Sequence, residues 1–379
     1  MAGKTILAVF GDRGGWNACE PPLLKALDAG CAVRVYFTAT CGKQYTDGKL
    51  KTGSFFEVQA GDSDKDSIQK FMHHPHDLLV VGSSQSKEGS RASAYALTDR
   101  DRTSLVVQDA YGSAVPMLAL LYQQPLRPYV KVCVTDEFSR AHLMQTISGL
   151  GLYDVIVTGG PHFDKVVEMR RTREERRRTL RQALNVGTKE PVFLIAGGVG
   201  GTDEILELLE AAIEQAGLAE TAKVILRAHP RAREEDKVLT AAFMNAPKYP
   251  GWFTDVDRAL APTSDDLLPA ADFVLSGFST TNTIGILLQM PGVVYVGTPT
   301  LKKDLMDEKK LERPPEVEAG AAWYVQTAAD MAGVITAIRL GARDVPHMLK
   351  IVAAQERIAS FNDGKATERV WAEMQKLMA

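Results

Sequence analysis

The segment Ser276-Gly277-Phe278-Ser279-Thr280-Thr281-Asn282-Thr283-Ile284-Gly285 follows the apolar run Phe273-Val274-Leu275 and precedes Ile286-Leu287-Leu288. It reads as a strand, a tight hydroxyl-rich turn and the start of a helix. The first N–H groups of a helix have no partner within it, and the positive end of the helix dipole lies there, so such a turn holds an anion without any lysine. Ser276, Gly277, Ser279, Thr280, Thr281 and Asn282 are the candidate contacts: the three hydroxyls after Phe278 and the Asn282 amide can donate, and no carboxylate lies between Leu275 and Gln289. Ordinary N-capping by serine or threonine is the competing reading. The chemistry expected is binding of an anionic ligand, most plausibly a nucleotide diphosphate.

Two glycine-rich segments occupy similar places. Gly11, Gly14 and Gly15 surround Asp12 and Arg13 directly after the first apolar run; glycines let the backbone turn and approach a ligand, Asp12 offers a general base and Arg13 a cation. A plain strand-to-helix connection is the alternative, and the spacing is not that of a dinucleotide fingerprint. Gly197, Gly198, Gly200 and Gly201 open the second half of the chain in the same way. There Asp203 and Glu204 stand in the first helical turn and would repel an anion, so contact with a sugar or an acceptor is expected instead.

Arg227, His229 and Arg231 stand at a strand end, where the arginines disfavour an imidazolium and leave His229 as a neutral hydrogen-bond partner. Asp266 and Leu267 follow Thr263-Ser264-Asp265, a capped turn that could touch a base or ribose. Asp109 in Gln108-Asp109-Ala110-Tyr111-Gly112, Glu137 in Thr135-Asp136-Glu137, and His162 after Gly159-Gly160-Pro161 join Asp12 as candidate catalytic groups, with solvated loop carboxylates as the bland alternative. Gly82-Ser83-Ser84-Gln85 is a further loop, suited to binding but without an evident base. The run from Arg170 to Arg178 carries acid–base pairs at i,i+3 and i,i+4 and reads as a solvated helix, the alternative being contact with an anionic membrane surface. His73-His74-Pro75-His76 is interrupted by proline, and Cys19, Cys31, Cys41 and Cys133 form no CxxC pair, so no metal site is expected.

A chain of 379 residues suits two domains, and 45% hydrophobic and 24% charged residues with a net charge of −3 give no reason to expect nucleic-acid binding. The first apolar run is too short for a secretory signal and no window reaches 18 uninterrupted apolar residues, so a cytoplasmic protein without a transmembrane segment is expected. Apolar, β-branched runs at 5–10, 32–37, 78–81, 104–107, 130–134 and 155–157 alternate with helical patterns and predict a doubly wound parallel sheet. Runs at 192–196, 224–228, 273–275, 293–296 and 322–325 predict a second one. The domains are expected at 1–160 and 161–344, with helices in 345–379 that could cross back to the first. Ligands of such open α/β sheets bind at the carboxyl ends of the strands, which is where these loops fall.

The chain resembles the GT-B superfamily of nucleotide-sugar glycosyltransferases and its relative, the non-hydrolysing UDP-N-acetylglucosamine 2-epimerases. The resemblance rests on the junction Val155-Ile156-Val157-Thr158-Gly159-Gly160-Pro161-His162-Phe163-Asp164, the glycine loop at Gly197, Arg227-Ala228-His229-Pro230-Arg231, and Asp266-Leu267-Leu268 leading to Ser276-Gly277. It implies two Rossmann-like doubly wound domains facing across a cleft, with a nucleotide diphosphate-sugar donor on the second, near His229 and the Ser276 to Asn282 turn, and an acceptor of unknown identity on the first. This chain departs from the family where the epimerases have a second glycine and paired glutamates: it has Phe278, then Ser279 to Asn282. The paired glutamates of many retaining transferases are absent too. The reading is a glycosyltransferase that moves a sugar, or a related phosphate-linked group, needs no metal or other cofactor, and could form a homodimer. The helix start after Ser276 and neighbouring cations would stabilise the leaving diphosphate, and Asp12 or Asp109 would deprotonate the acceptor if the reaction inverts. A nucleotide-sugar epimerase and a non-catalytic nucleotide-sugar-binding subunit are the alternatives.

Overall fold

The computed structural model describes residues 3–38, 56–61, 65–84, 87–98, 103–122, 130–151, 154–229, 232–249, 252, 256–309, 311–340 and 346–379. They form two compact units, one of Met1–Lys165 with Ser360–Ala379 and one of Val166–Ala359.

In the first unit, β1 (Thr5–Phe10), β2 (Ala32–Thr38), β3 (Phe56–Gly61), β4 (Leu78–Gly82), β5 (Ser104–Val107), β6 (Val130–Val134) and β7 (Val155–Val157) build a sheet. Its order is β3-β2-β1-β4-β5-β6-β7, with every neighbouring pair parallel. Side chains alternate across a strand. Ile6, Ala8 and Phe10 therefore pack with Trp16 and Leu23 of the helix Arg13–Asp28 and with Val370, Met374 and Met378 of the helix Ala366–Met378. Leu7 and Val9 pack on the opposite face with Ile68, Leu97, Leu118 and Leu143. Burial on both faces is what makes the β1 and β4 runs continuously apolar. The edge strand β3 is not among the runs that the sequence marks, because Glu57 and Gln59 interrupt its apolar residues, as a sheet edge tolerates.

The helix Ala366–Met378 is tied into the first unit by specific bonds. The Ala366 and Thr367 N–H groups donate to the Asp164 carboxylate at 2.9 and 2.8 Å. Gly160 N–H donates to Asn362 Oδ1 at 2.9 Å, and Arg369 Nε donates to the Thr158 carbonyl at 2.7 Å. Gly159 has φ +81°, and a Cβ there would lie 2.0 Å from the Phe361 carbonyl oxygen, so both conformation and space require glycine.

In the second unit, β8 (Val192–Ala196), β9 (Lys223–Arg227), β10 (Phe273–Ser276), β11 (Gly292–Val296) and β12 (Trp323–Val325) are again all parallel, in the order β12-β11-β10-β8-β9. Phe193, Ile195, Phe273, Leu275, Val294 and Val296 face the helices Thr202–Gln215 and Ala328–Arg339. The helix Thr280–Leu287 lies on the other face, so close that a Cβ on Gly285 would meet Val293 at 3.0 Å and Val274 at 3.2 Å. In each sheet the winding reverses once, between β1 and β4 and between β8 and β10. Loops that diverge at such a point leave a crevice.

The arginine run does not form a solvated stripe. Arg170, Arg173, Arg177 and Arg181 share one face of consecutive helices and turn inward. Arg170 and Arg173 donate to the Leu287 and Leu288 carbonyls at the end of the helix Thr280–Leu287. Arg177 reaches the carbonyls of Pro269, Ala270 and Ala271, and Arg181 those of Ala270, Gly187 and Glu190. Last-turn carbonyls have no helical partner, and cations at that end of the dipole are favourable. Local acid–base spacing masked this use, because the acceptors other than Gly187 and Glu190 lie about a hundred residues away in sequence. Arg171, Arg176 and Arg178 remain exposed. Among the described residues no helix is long and apolar enough to cross a membrane.

Asp272 joins this ladder to the sheet. It accepts from Arg177 at 2.6 Å, from Arg181 at 3.2 Å and from the Val192 N–H at 2.9 Å, while its own N–H donates to the Val192 carbonyl. Asp272→Ala should leave Arg181, 6% exposed, without its counter-charge and cost roughly 2–4 kcal/mol of stability in denaturant unfolding; a loss below about 0.5 kcal/mol would mean that the ladder is a surface pair of small worth.

Candidate functional site

At the reversal point of the first sheet, the β1 and β4 loops interlock. A Cβ on Gly15 would lie 2.5 Å from the Ser83 carbonyl oxygen, and one on Gly11 2.2 Å from the Gly89 Cα. These two glycines are therefore explained by backbone packing, whatever ligand approaches. Asp12 caps the helix Arg13–Asp28: Oδ1 accepts from the Gly15 N–H at 3.1 Å and Oδ2 from Ser84 Oγ at 2.7 Å. Both Asp12 oxygens thus hold protein donors, one of them at the helix cap. Arg13 is exposed at the first helical position.

Asp109 is held differently. Oδ1 accepts from Ser83 Oγ at 2.7 Å, whereas among the described residues Oδ2 has no protein donor. Oδ2 sits over Gly14, 1.9 Å from where a Cβ on that residue would be, and Asp12 Oδ1 is 3.5 Å from the same point. Gly14 thus separates the two carboxylates and leaves room for one of them. The Asp109 backbone also hydrogen-bonds the half-buried His162 ring, whose Nδ1 is enclosed without a partner. Burial, aided by the positive charge of Lys165, lowers the His162 pKa to about 4, so the ring is neutral near pH 7. Asp12, Gly14, Asp109 and His162 are thereby brought together. Glu137 is not: it pairs with Arg140 at 2.6 Å, half-exposed, beside the Asp136 cap of the helix Glu137–Thr146, and among the described residues no contact joins it to this group.

At the reversal point of the second sheet stand the Gly197 loop and the Ser276 turn. Ser279 caps the helix Thr280–Leu287, its Oγ accepting from the Thr281 N–H at 3.2 Å. The cap uses one donor, and the N–H groups ahead of Thr281 have no partner within the helix. Ser276 Oγ is buried, and among the described residues it has no hydrogen-bond partner. Strand alternation puts it on the same face as Val274, which touches the helix through Gly285.

Two expectations about this turn are corrected. Asn282 is fully buried and its amide donates to the Val294 carbonyl at 2.9 Å, so it pins the helix to β11 and its side chain is not presented at the surface of the turn. The turn is also not free of carboxylates in space: Asp265 Oδ1 accepts from Thr281 Oγ1 at 3.1 Å. Gly197 donates to the Arg227 carbonyl, Gly198 and Gly200 pack against each other's backbone and Arg233, and Gly201, with φ +73°, starts the helix Thr202–Gln215. Glu204 is turned toward Thr300, accepting from its Oγ1 at 2.5 Å and from its N–H at 3.3 Å. Arg227 donates to the Ala261 carbonyl at 2.7 Å, and His229 is half-buried beside it at the end of β9. Asp266 accepts from the Thr263 N–H and hydroxyl and Leu267 is buried, so both shape their own turn. Arg231 and Gln85 lie outside the described residues.

Sequence reasoning missed Leu301, whose side chain lies within 3 Å of the Cβ positions of both Gly201 and Gly277 and wedges the two loops. It also undervalued Ser83. Neither is marked by composition or spacing, since each matters only through residues distant in sequence.

No protein-family model and no curated protein matches the sequence. Solved structures do. A UDP-GlcNAc 2-epimerase from Neisseria meningitidis, bound to UDP-GlcNAc, matches with a TM-score of 0.65 at 15% identity, covering 98% of this chain and 100% of that one. The UDP-GlcNAc 2-epimerase from Methanocaldococcus jannaschii matches with 0.60 at 15% over 98% and 99%. The wall teichoic acid polymerase TagF matches with 0.60 at 12% over 99% and 88%. The chain has the GT-B fold. Identity this low speaks for the fold alone, and the GT-B assignment agrees with the expectation of two parallel-sheet α/β domains.

Two measurements check the placement of Asp109 in this GT-B chain. An alanine inside a helix ordinarily stabilises relative to glycine by about 1 kcal/mol. Gly14→Ala should show no such gain, and a stabilised variant in urea unfolding would contradict the close approach of Asp109. For His162, the folded pKa near 4 lies below its ordinary value near 6.5. Its contribution is complete above pH 6.5 and is lost as the pH falls toward 4. In His162→Gln the loss of stability between pH 7 and pH 4 should shrink by roughly 2 kcal/mol; an unchanged pH dependence would place the ring in water.

Proposed function

We propose that this chain is a glycosyltransferase that moves a sugar, or a related phosphate-linked group, from a nucleotide diphosphate donor to an acceptor hydroxyl. The observation that carries the proposal is the helix start at the reversal point of the second sheet, where a buried Ser276 hydroxyl has no partner among the described residues and the first N–H groups lack helical acceptors. In this reading the second unit holds the donor diphosphate there, and the helix dipole with Arg227 stabilises the leaving group, so that no metal is needed. The first unit supplies Asp109 as the base, its Oδ2 open and its Oδ1 fixed. The likeness to TagF, a polymerase, supports transfer chemistry.

A second reading, epimerisation of a nucleotide sugar, is favoured by the likeness to the epimerase bound to UDP-GlcNAc. Against it, the positions after Phe278 carry no carboxylate, and Asn282 is buried in structural use. A third possibility, a binding subunit without turnover, is judged by the same assay.

Incubation with nucleotide sugars, with and without candidate acceptors, separates these readings: nucleotide released only with acceptor indicates transfer, an altered sugar indicates epimerisation, and binding alone indicates the third. Transfer should persist in EDTA. Asp109→Asn should lower turnover by about 10²–10⁴-fold and spare donor affinity, whereas Asp12→Asn should act mainly on stability, costing about 1 kcal/mol. Full turnover in Asp109→Asn would remove the base assignment.

A further inference from the structure

We infer that Ser83 is a positioning residue that sets the direction of the Asp109 carboxylate; its catalytic meaning rests on Asp109 being the base proposed above, but its structural content does not. Ser83 is fully buried directly after β4, and its own N–H donates to the Val107 carbonyl at 3.0 Å, which ties it to the end of β5. Its Oγ stands in three contacts: Asp109 Oδ1 at 2.7 Å, the Asp109 N–H at 2.9 Å and Ser113 Oγ at 2.8 Å.

A hydroxyl has one proton to give. An ionised carboxylate only accepts, so the Ser83 proton goes to Asp109 Oδ1 and the Ser83 oxygen accepts from the Asp109 N–H. Ser113, also fully buried, accepts from the Ala110 N–H at 3.2 Å, and its one proton is left to serve either the Ala110 carbonyl at 2.7 Å or Ser83 Oγ. One buried hydroxyl thus holds both the main chain and one carboxylate oxygen of the same residue. With Oδ1 pinned, the side chain has little rotational freedom left, and Oδ2 falls over Gly14, where the missing Cβ leaves space for it. Asp12 receives the neighbouring hydroxyl, Ser84, at 2.7 Å, but spends its other oxygen on the helix cap. Adjacent serines of one loop therefore give two adjacent aspartates different tasks.

The test is the crystal structure of Ser83→Ala beside the wild type, together with steady-state kinetics. In Ser83→Ala the Asp109 side chain should leave its single orientation over Gly14. An unchanged orientation would overturn the inference. Where Ser83→Ala does not fold, Ser83→Cys keeps the volume but offers only a weak donor, and the same comparison applies. If Asp109 is the base, kcat should fall on the order of 10²-fold, with donor KM and melting temperature little changed; an unaltered kcat in a variant whose Asp109 has moved would count against the positioning role in catalysis. Full turnover in Asp109→Asn would remove the proposed base while leaving the crystallographic result to decide the positioning.

Discussion

The second unit depends on one carboxylate at the start of a strand. Asp272 donates its N–H to the Val192 carbonyl, accepts the Val192 N–H on its carboxylate, and with the same carboxylate pairs with Arg177 and Arg181. It therefore sets the register of β10 against β8, the pair at which the winding of the sheet reverses. A one-residue slip there would exchange the faces of Val274 and Leu275 and carry Ser276 away from the helix that follows. The position of Ser276 at the carboxyl end of β10 is thus fixed from an ion cluster at the strand's amino end.

The two units use small residues for different ends. In the first, Gly11, Gly15 and Gly82 allow backbone to meet backbone, and Gly14 leaves space beside the Asp109 carboxylate. In the second, Leu301 fills the space beside Gly201 and Gly277, so the two loops are held apart by packing. Glycine enrichment in a loop is a statement about close approach, and only the structure names what approaches.

Much of the fold was legible from the sequence, because parallel strands covered on both faces must be continuously apolar and their helices must follow a 3.6-residue period. The runs at 5–10, 104–107, 130–134 and 192–196 coincide with strands for that reason. The edge strand β3 carries no such signature, since one side of an edge needs no partner strand. The site was legible only as a set of loops. Asp12 and Asp109 looked equivalent in sequence, and their difference comes from which oxygen atoms are already occupied. Asn282 and the inward arginines were misread for a related reason: their partners, Val294, Leu287 and Asp272, are supplied by folding, which local spacing does not report.

The clasp formed by Asp164, Asn362 and Arg369 also bears on how the chain is made. The second unit is one uninterrupted stretch, whereas the first includes residues on both sides of it. A ribosome therefore releases everything needed for the second unit before it has made Val370, Met374 and Met378, which cover one face of the first sheet. Joining Asp164 to Ala366 closes a loop of about two hundred residues, and the entropic cost of that closure grows only with the logarithm of its length. The delay is the larger burden: until the last helix docks, an apolar sheet face stands open to chaperones and to other nascent chains.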